Sequence, residues 1–174
     1  MNRLNNPNYF YSAFIILMVG AIYFVINTST HLPAQMASHF NAEGIADGFM
    51  SKEGYTHTML ALVVLVPGLL AVTPFGMRKL PASLINIPQK EYWLQPEKLE
   101  VTIHTLNRFM SVLACLLLLF LTYVHWLVIQ ANKAQPPALP VIDLLVGMFV
   151  FLSLIGAWSL LLHRQFKLTD PTKL

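Results

Sequence analysis

The sequence predicts an all-α integral membrane protein with four transmembrane helices. Both termini are expected in the cytoplasm, and an ordered extracytoplasmic loop is expected between spans 1 and 2. Three observations lead there. First, 56% of the 174 residues are hydrophobic and only 11% are charged, where a soluble domain carries about 25% charged residues. The mean hydropathy of +0.59 agrees, so much of the surface is expected to meet lipid. Second, the apolar residues gather into four blocks. Each is long enough, at about 1.5 Å per helical residue, to cross roughly 30 Å of hydrocarbon. Third, the basic residues alternate between the segments that separate those blocks. Arg3, Arg78, Lys79, Lys90, Lys98, Arg108, Arg164, Lys167 and Lys173 fall on one side, against Lys52 and Lys133 on the other. Basic residues near span ends stay cytoplasmic, which puts both termini and the connector between spans 2 and 3 on the cytoplasmic side.

The chain reads as one membrane domain over 1–174. A polar start, MNRLNNPN, precedes the first span at about 9–27. A cleaved signal peptide is the rival there. The apolar core is long, and no small-x-small site follows Asn27 closely, so an uncleaved anchor is expected. Residues 28–56 form the outer loop. Span 2, about 57–77, contains Pro67 and Pro74, which membrane helices tolerate when neighbours satisfy the freed carbonyls; a kink is expected near Pro67. Residues 78–105 are an inner connector. Span 3, about 106–129, is the most hydrophobic. The proline-rich turn QANKAQPPALP leads to span 4, about 141–162, and a polar tail follows.

Within the spans, small and polar residues recur at helical spacing. They are Ser12, Gly20, Tyr23 and Asn27; His57, Ala61, Gly68 and Ala71; Asn107, Ser111, Cys115, Thr122 and His125; and Ser153, Gly156, Ala157 and Leu160. Small residues allow close helix approach in lipid, so these faces are expected to point into the bundle. For His125, near the outer end of span 3, snorkelling to the interface is the alternative, and a proton relay a lesser one.

The outer stretch His31–Lys52, HLPAQMASHFNAEGIADGFMSK, is the most distinctive polar segment of the first half. Leu32-Pro33 reads as the start of a short helix. Asn41-Ala42-Glu43-Gly44 and Asp47-Gly48 read as turns, giving a hairpin-like loop before span 2. Phe40, Ile45, Phe49 and Met50 are expected on the membrane surface or capping the bundle. His39, Asn41, Gly44, Asp47, Gly48 and Lys52 form the candidate binding framework. His39, Glu43 and Asp47 are spaced by four and would align as ligands on a helix, but Gly44 interrupts one. Local hydrogen bonding to the backbone is the favoured reading, and no metal is expected.

The inner connector holds INIPQKEYWLQPEKLE. Its candidate residues are Asn86, Pro88, Tyr92, Trp93, Pro96 and Glu97. Tyr92 and Trp93 suit the membrane interface. Gln95 is placed to cap a helix that begins at Pro96, has Glu97 in its first turn, and runs into span 3. An amphipathic elbow on the inner leaflet is favoured over a partner-docking surface.

The composition excludes several classes. A net charge of +3, with basic residues dispersed among apolar blocks, excludes a nucleic-acid partner. A single cysteine, Cys115, excludes an internal disulfide or a multi-cysteine metal site. No phosphate loop, nucleophile elbow or haem attachment motif is present, so no catalytic residue and no cofactor is expected. His57, His104 and His125, near span ends, leave axial haem ligation as the one open alternative.

The residues Pro33, His39, Phe40, Asn41, Gly44, Asp47, Gly48, Ser51 and Lys52 together resemble the signature of a bacterial membrane domain of unknown function. A related domain forms the N-terminal part of the immunity and signalling protein that protects sporulating bacilli from the sporulation-delaying toxin. The stretch INIPQKEYWLQPE looks like a segment that accompanies that signature, so the resemblance extends over about residues 10–100. The resemblance implies a bacterial cytoplasmic (inner) membrane protein of the immunity or signalling kind. One distinctive polar segment on each face, joined by kinked spans, points to a non-enzymatic module that senses or binds an external peptide, protein or lipid through residues 31–52 and passes the effect to the 78–105 connector. An accessory or structural subunit of a larger membrane complex is the alternative, and a metal-dependent membrane enzyme a lesser one. A transporter is disfavoured by the scarcity of mid-membrane charge. Membrane lipid and either a protein partner or a second copy of the chain are the expected partners.

Overall fold

The computed structural model describes residues 7–167. Arg3 and Lys173, counted above for orientation, lie outside the described residues. Four long helices dominate: α1 (Pro7–Ser29), α2 (Lys52–Gly76), α4 (Pro96–Ala131) and α5 (Val141–Phe166). All four are long and apolar enough to cross a membrane. A two-stranded antiparallel hairpin, β1 (Gln35–Phe40) and β2 (Ala46–Ser51), joins α1 to α2. Two short 3₁₀ turns and the one-turn helix α3 (Lys90–Trp93) make up the connector between α2 and α4.

The helices run past the apolar blocks. α2 begins at Lys52 rather than near residue 57, because Ser51 supplies a cap: its Oγ accepts from the Gly54 amide at 3.1 Å. α4 begins at Pro96, whose missing N–H costs nothing at a first helical position. Gln95 holds the cap position in extended conformation, but its side chain makes no capping bond. α2 continues as helix through Pro67 and Pro74, and both are buried.

The core lies among α1, α2 and α4. Phe14, Met18, Ala21 and Val25 of α1 meet Met59, Val63 and Ala71 of α2, with Ala114 and Leu118 of α4. This corrects the expected packing faces of α1, α2 and α5; on α2, His57 and Ala61 are exposed and Ala71 is the buried member of the four. Ser12, Gly20, Tyr23 and Asn27 of α1 are exposed, and no heavy atom lies within 4 Å of where a Cβ on Gly20 would sit. Phe14, Met18, Ala21 and Val25, at a 4-3-4 spacing, form the buried face of α1 instead. On α4 the expectation holds at Ser111 and His125, both buried.

α5 also differs. Its residues Ser153, Gly156, Ala157 and Leu160 are exposed. The helix is fastened to α4 by its opposite side. Phe151 stacks on Phe120 at 4.3 Å, Trp158 Nε1 donates to the Phe109 carbonyl at 2.9 Å, and Tyr123 donates to the Asp143 carbonyl at 2.7 Å. Gly147 is the small residue that matters: a Cβ there would lie 2.2 Å from the Tyr123 ring.

At the connector end a second, smaller core joins Ile85, Ile87, Leu106 and Phe166. Trp93 closes it. Its indole N–H donates to the Phe166 carbonyl at 2.7 Å, and its ring meets Phe166 edge-on. At the opposite end, the hairpin tip pairs with the turn between α4 and α5: the Leu139 amide donates to the Gly44 carbonyl at 2.8 Å. The hairpin and the 132–140 turn therefore share one end of the bundle, and the connector and the end of α5 share the other.

Candidate functional site

The outer stretch is a hairpin, with no helix after Pro33. α1 carries on to Ser29, a turn follows, and β1 starts at Gln35. The short helix expected from Leu32-Pro33 is absent because the residues after it serve a strand. Met36 and Ala37 bury against the bundle while His39 stays outside. β2 alternates strictly, with Asp47, Phe49 and Ser51 outward and Ala46, Gly48 and Met50 inward, the two-residue period of a half-covered strand.

The tip is built by Asn41 and Gly44. Asn41 Oδ1 accepts from the amides of Glu43 (3.1 Å) and Ile45 (2.8 Å), a side chain standing in for a backbone turn. Gly44 has φ +84°, and a Cβ there would sit 2.5 Å from the Leu139 carbonyl oxygen. Only glycine meets both demands. Gly48 faces His39 across the strands, where a Cβ would approach the His39 Cβ to 2.8 Å.

On the outward face His39 Nδ1 donates to Asp47 Oδ1 at 2.5 Å, and both side chains are well exposed. Glu43 is held by its amide at the turn instead of joining them. In the hairpin the spacing of His39, Glu43 and Asp47 brings the outer two together across the strands and leaves Glu43 at the tip. Among the described residues no three His, Cys, Asp or Glu side chains are grouped as a metal site would need. Ile45 and Phe49 are exposed on the hairpin, while Met50 packs against the main core.

Two further features, one fastening the hairpin and one joining the helices beneath it, are not legible in the sequence. The first is Asn132, at the end of α4. Its Oδ1 accepts from the Ala37 amide at 2.8 Å and its Nδ2 donates to the Ala37 carbonyl at 2.9 Å. The side-chain amide acts as a third strand one residue long, beside the irregular register between Ala37 and His39. An asparagine just after an apolar block signals a helix end, but not its partner.

The second is a buried triad. His125 does not snorkel; it is 0% exposed. Thr28 donates its hydroxyl hydrogen to the Phe24 carbonyl at 2.6 Å. Its Oγ1, 2.7 Å from His125 Nε2, must therefore accept from Nε2–H. That leaves Nδ1 as the acceptor for the Tyr55 hydroxyl at 2.8 Å. Tyr55 also stacks on the imidazole, and Phe24 meets it edge-on. One chain of hydrogen bonds thus links α1, α2 and α4 immediately under the hairpin, with every donor used.

The connector residues are placed as follows. Asn86 and Pro88 line a cavity of ≈ 430 Å³ shared with Ser159 and His163 of α5. Tyr92 meets Trp93 edge-on and lies 5.5 Å under the Lys98 ammonium. Pro96 and Glu97 are exposed in the first turn of α4. Trp93 is more than an interface anchor, since it carries the contact to α5. The two candidate groups sit at opposite ends of the bundle and do not form one site.

Residues 13–67 match the family model of a domain of unknown function (DUF1648). The match takes in most of α1, the whole hairpin and the first sixteen residues of α2. It thus spans every position of the Pro33–Lys52 signature and stops short of the inner connector, narrower than the 10–100 range expected. No curated protein and no solved structure matches the chain.

Proposed function

We propose that the chain is a non-enzymatic membrane module of the signalling or immunity kind, whose β1–β2 hairpin recognises an extracytoplasmic peptide or protein. One observation carries this reading. The hairpin presents His39, Ile45, Asp47 and Phe49 outward, while its other side is locked to the bundle at three places. Ser51 ties it to α2, Asn132 to the end of α4, and Gly44 to the turn before α5. A rigid mount under an exposed polar and aromatic face suits recognition. The mount also gives a bound partner a direct path to three of the four long helices. The positive-inside distribution supports an outward hairpin in the cytoplasmic membrane of a bacterium.

The test is a photo-crosslinking residue at Phe49 in native membranes, combined with His39→Ala and Asp47→Ala. The expected result is a discrete adduct that the two substitutions weaken, with stability changed by less than about 1 kcal/mol, as for an exposed pair. Loss of stability with no adduct would make the hairpin a scaffold.

A second reading, an accessory subunit of a larger membrane complex, is favoured by α5. None of the residues in its most apolar window is buried. Purification in mild detergent separates the two. A stoichiometric partner that stays bound after His39→Ala and Asp47→Ala, and is lost when the exposed face of α5 is changed, supports the second.

A further inference from the structure

Beside the hairpin, the last turn of α1 and the first turns of α2 enclose a cleft of ≈ 320 Å³. Its wall includes Ile26 and Ser29 from α1, and Lys52, Glu53, Thr56 and His57 from α2. Ser29 is 3% exposed and its Oγ has no hydrogen-bond partner. A buried hydroxyl left without a partner is uncommon, and here it stands in the wall of an open cleft. Lys52 and Glu53 have no ion-pair partner among the described residues. They put a cation and an anion side by side at the amino end of a 25-residue helix, which adds partial positive charge. Two first-turn amides there are already used: Lys52 N–H by the Ala34 carbonyl and Gly54 N–H by Ser51.

The cleft opens toward the flank of the bundle. Ile26 is exposed, and so are Tyr23 and Val19, one and two turns further down α1 on the same side. A ligand seated here would have a charged end among Lys52, Glu53 and Ser29 and an apolar end along α1, at the level where the spans end.

We propose that this cleft holds the headgroup of a zwitterionic phospholipid. The phosphate lies toward Lys52 and the amino end of α2, and the ammonium lies toward Glu53. Ser29 Oγ is the hydroxyl that the headgroup satisfies, and the acyl chains run down the strip of Ile26, Tyr23 and Val19. Glu53 decides against a purely anionic headgroup, because a second negative group would meet it without compensation. The site uses neither His39 nor Asp47, so it stands or falls apart from the recognition role of the hairpin.

Delipidated full-length protein, with dioleoylphosphatidylethanolamine, dioleoylphosphatidylglycerol or free O-phosphoethanolamine added, tests this by native mass spectrometry. Retention of the zwitterionic lipid over the anionic one is expected. Lys52→Gln should lower that retention about five-fold, within the range for losing one partly solvated charged contact. Glu53→Gln should remove the preference between the lipids. Lys133→Gln, the same change of charge at the same end but outside the cleft, should alter nothing. Equal retention of both lipids, or an equal loss in Lys133→Gln, overturns the site. Binding of free O-phosphoethanolamine as strong as that of the lipid overturns the lipid assignment. A circular-dichroism melt of each variant confirms folding. Should Lys52→Gln unfold, Glu53→Gln alone decides, through the preference between lipids.

Discussion

His125 fixes more of this molecule than any other single residue. Its two nitrogens are engaged in opposite senses, one accepting from Tyr55 and one donating to Thr28. A buried partner left alone loses its hydrogen bond without regaining water, which costs about 1–3 kcal/mol. His125→Leu should therefore destabilise by roughly that amount, and Tyr55→Phe by a similar amount. The double variant should fall short of the sum, because both remove the same bond; thermal unfolding in detergent reads all three. Gly44 makes a second demand at this scale. Gly44→Ala would place a methyl group 2.5 Å from the Leu139 oxygen at φ +84°. Strain of this kind costs on the order of 1–3 kcal/mol. A lowered melting temperature, with faster amide exchange at Leu139, is the expected result.

The elements show where reading by pattern succeeds. The four helices are legible because each must satisfy its own backbone in lipid, which imposes length and apolarity on the sequence. The start of α4 at Pro96 is legible for a local reason, the fit of proline to a first turn. The hairpin is half legible. Its turn residues Asn41, Gly44 and Gly48 stand out, but its strands are only six residues each and resemble loop in a polar segment. Beyond its pairing with β2, β1 is held at Ala37 by Asn132. Replacing Asn132 with alanine should free both Ala37 groups and destabilise by about 2 kcal/mol. Hydrogen exchange should rise at Ala37 while the helical amides of α5 keep their protection; unchanged exchange at Ala37 would show that Asn132 does not hold the strand.

Across the whole molecule, the two ends are chemically distinct. One carries the hairpin, Asn132 and the Lys52–Glu53 cleft; the other carries the connector, Trp93 and most of the basic residues. The sidedness proposed from that asymmetry is directly measurable. In a Cys115→Ala background, cysteine substituted for Glu43 should react with a membrane-impermeant maleimide in intact cells. Cysteine substituted for Lys98 should react only after the membrane is opened. The reverse pattern would invert the orientation of the whole chain, and with it the extracytoplasmic recognition proposed for the hairpin.

The number of span-length helices, the approximate extent of each and the positions of the two distinctive polar segments are legible in the sequence. Each of these rests on local requirements: hydrogen-bond satisfaction within a helix, the thickness of a bilayer, and the turn chemistry of asparagine and glycine. Which helix faces pack, which groups His125 bonds, and that Asn132 supports a strand 95 residues away emerge only from tertiary contacts. Those depend on partners from distant segments. In lipid both an apolar and a small-residue face are acceptable outward, so composition does not choose between them. The choice falls to shape and hydrogen-bond complementarity between α1, α2 and α4, which exists only once the helices are assembled.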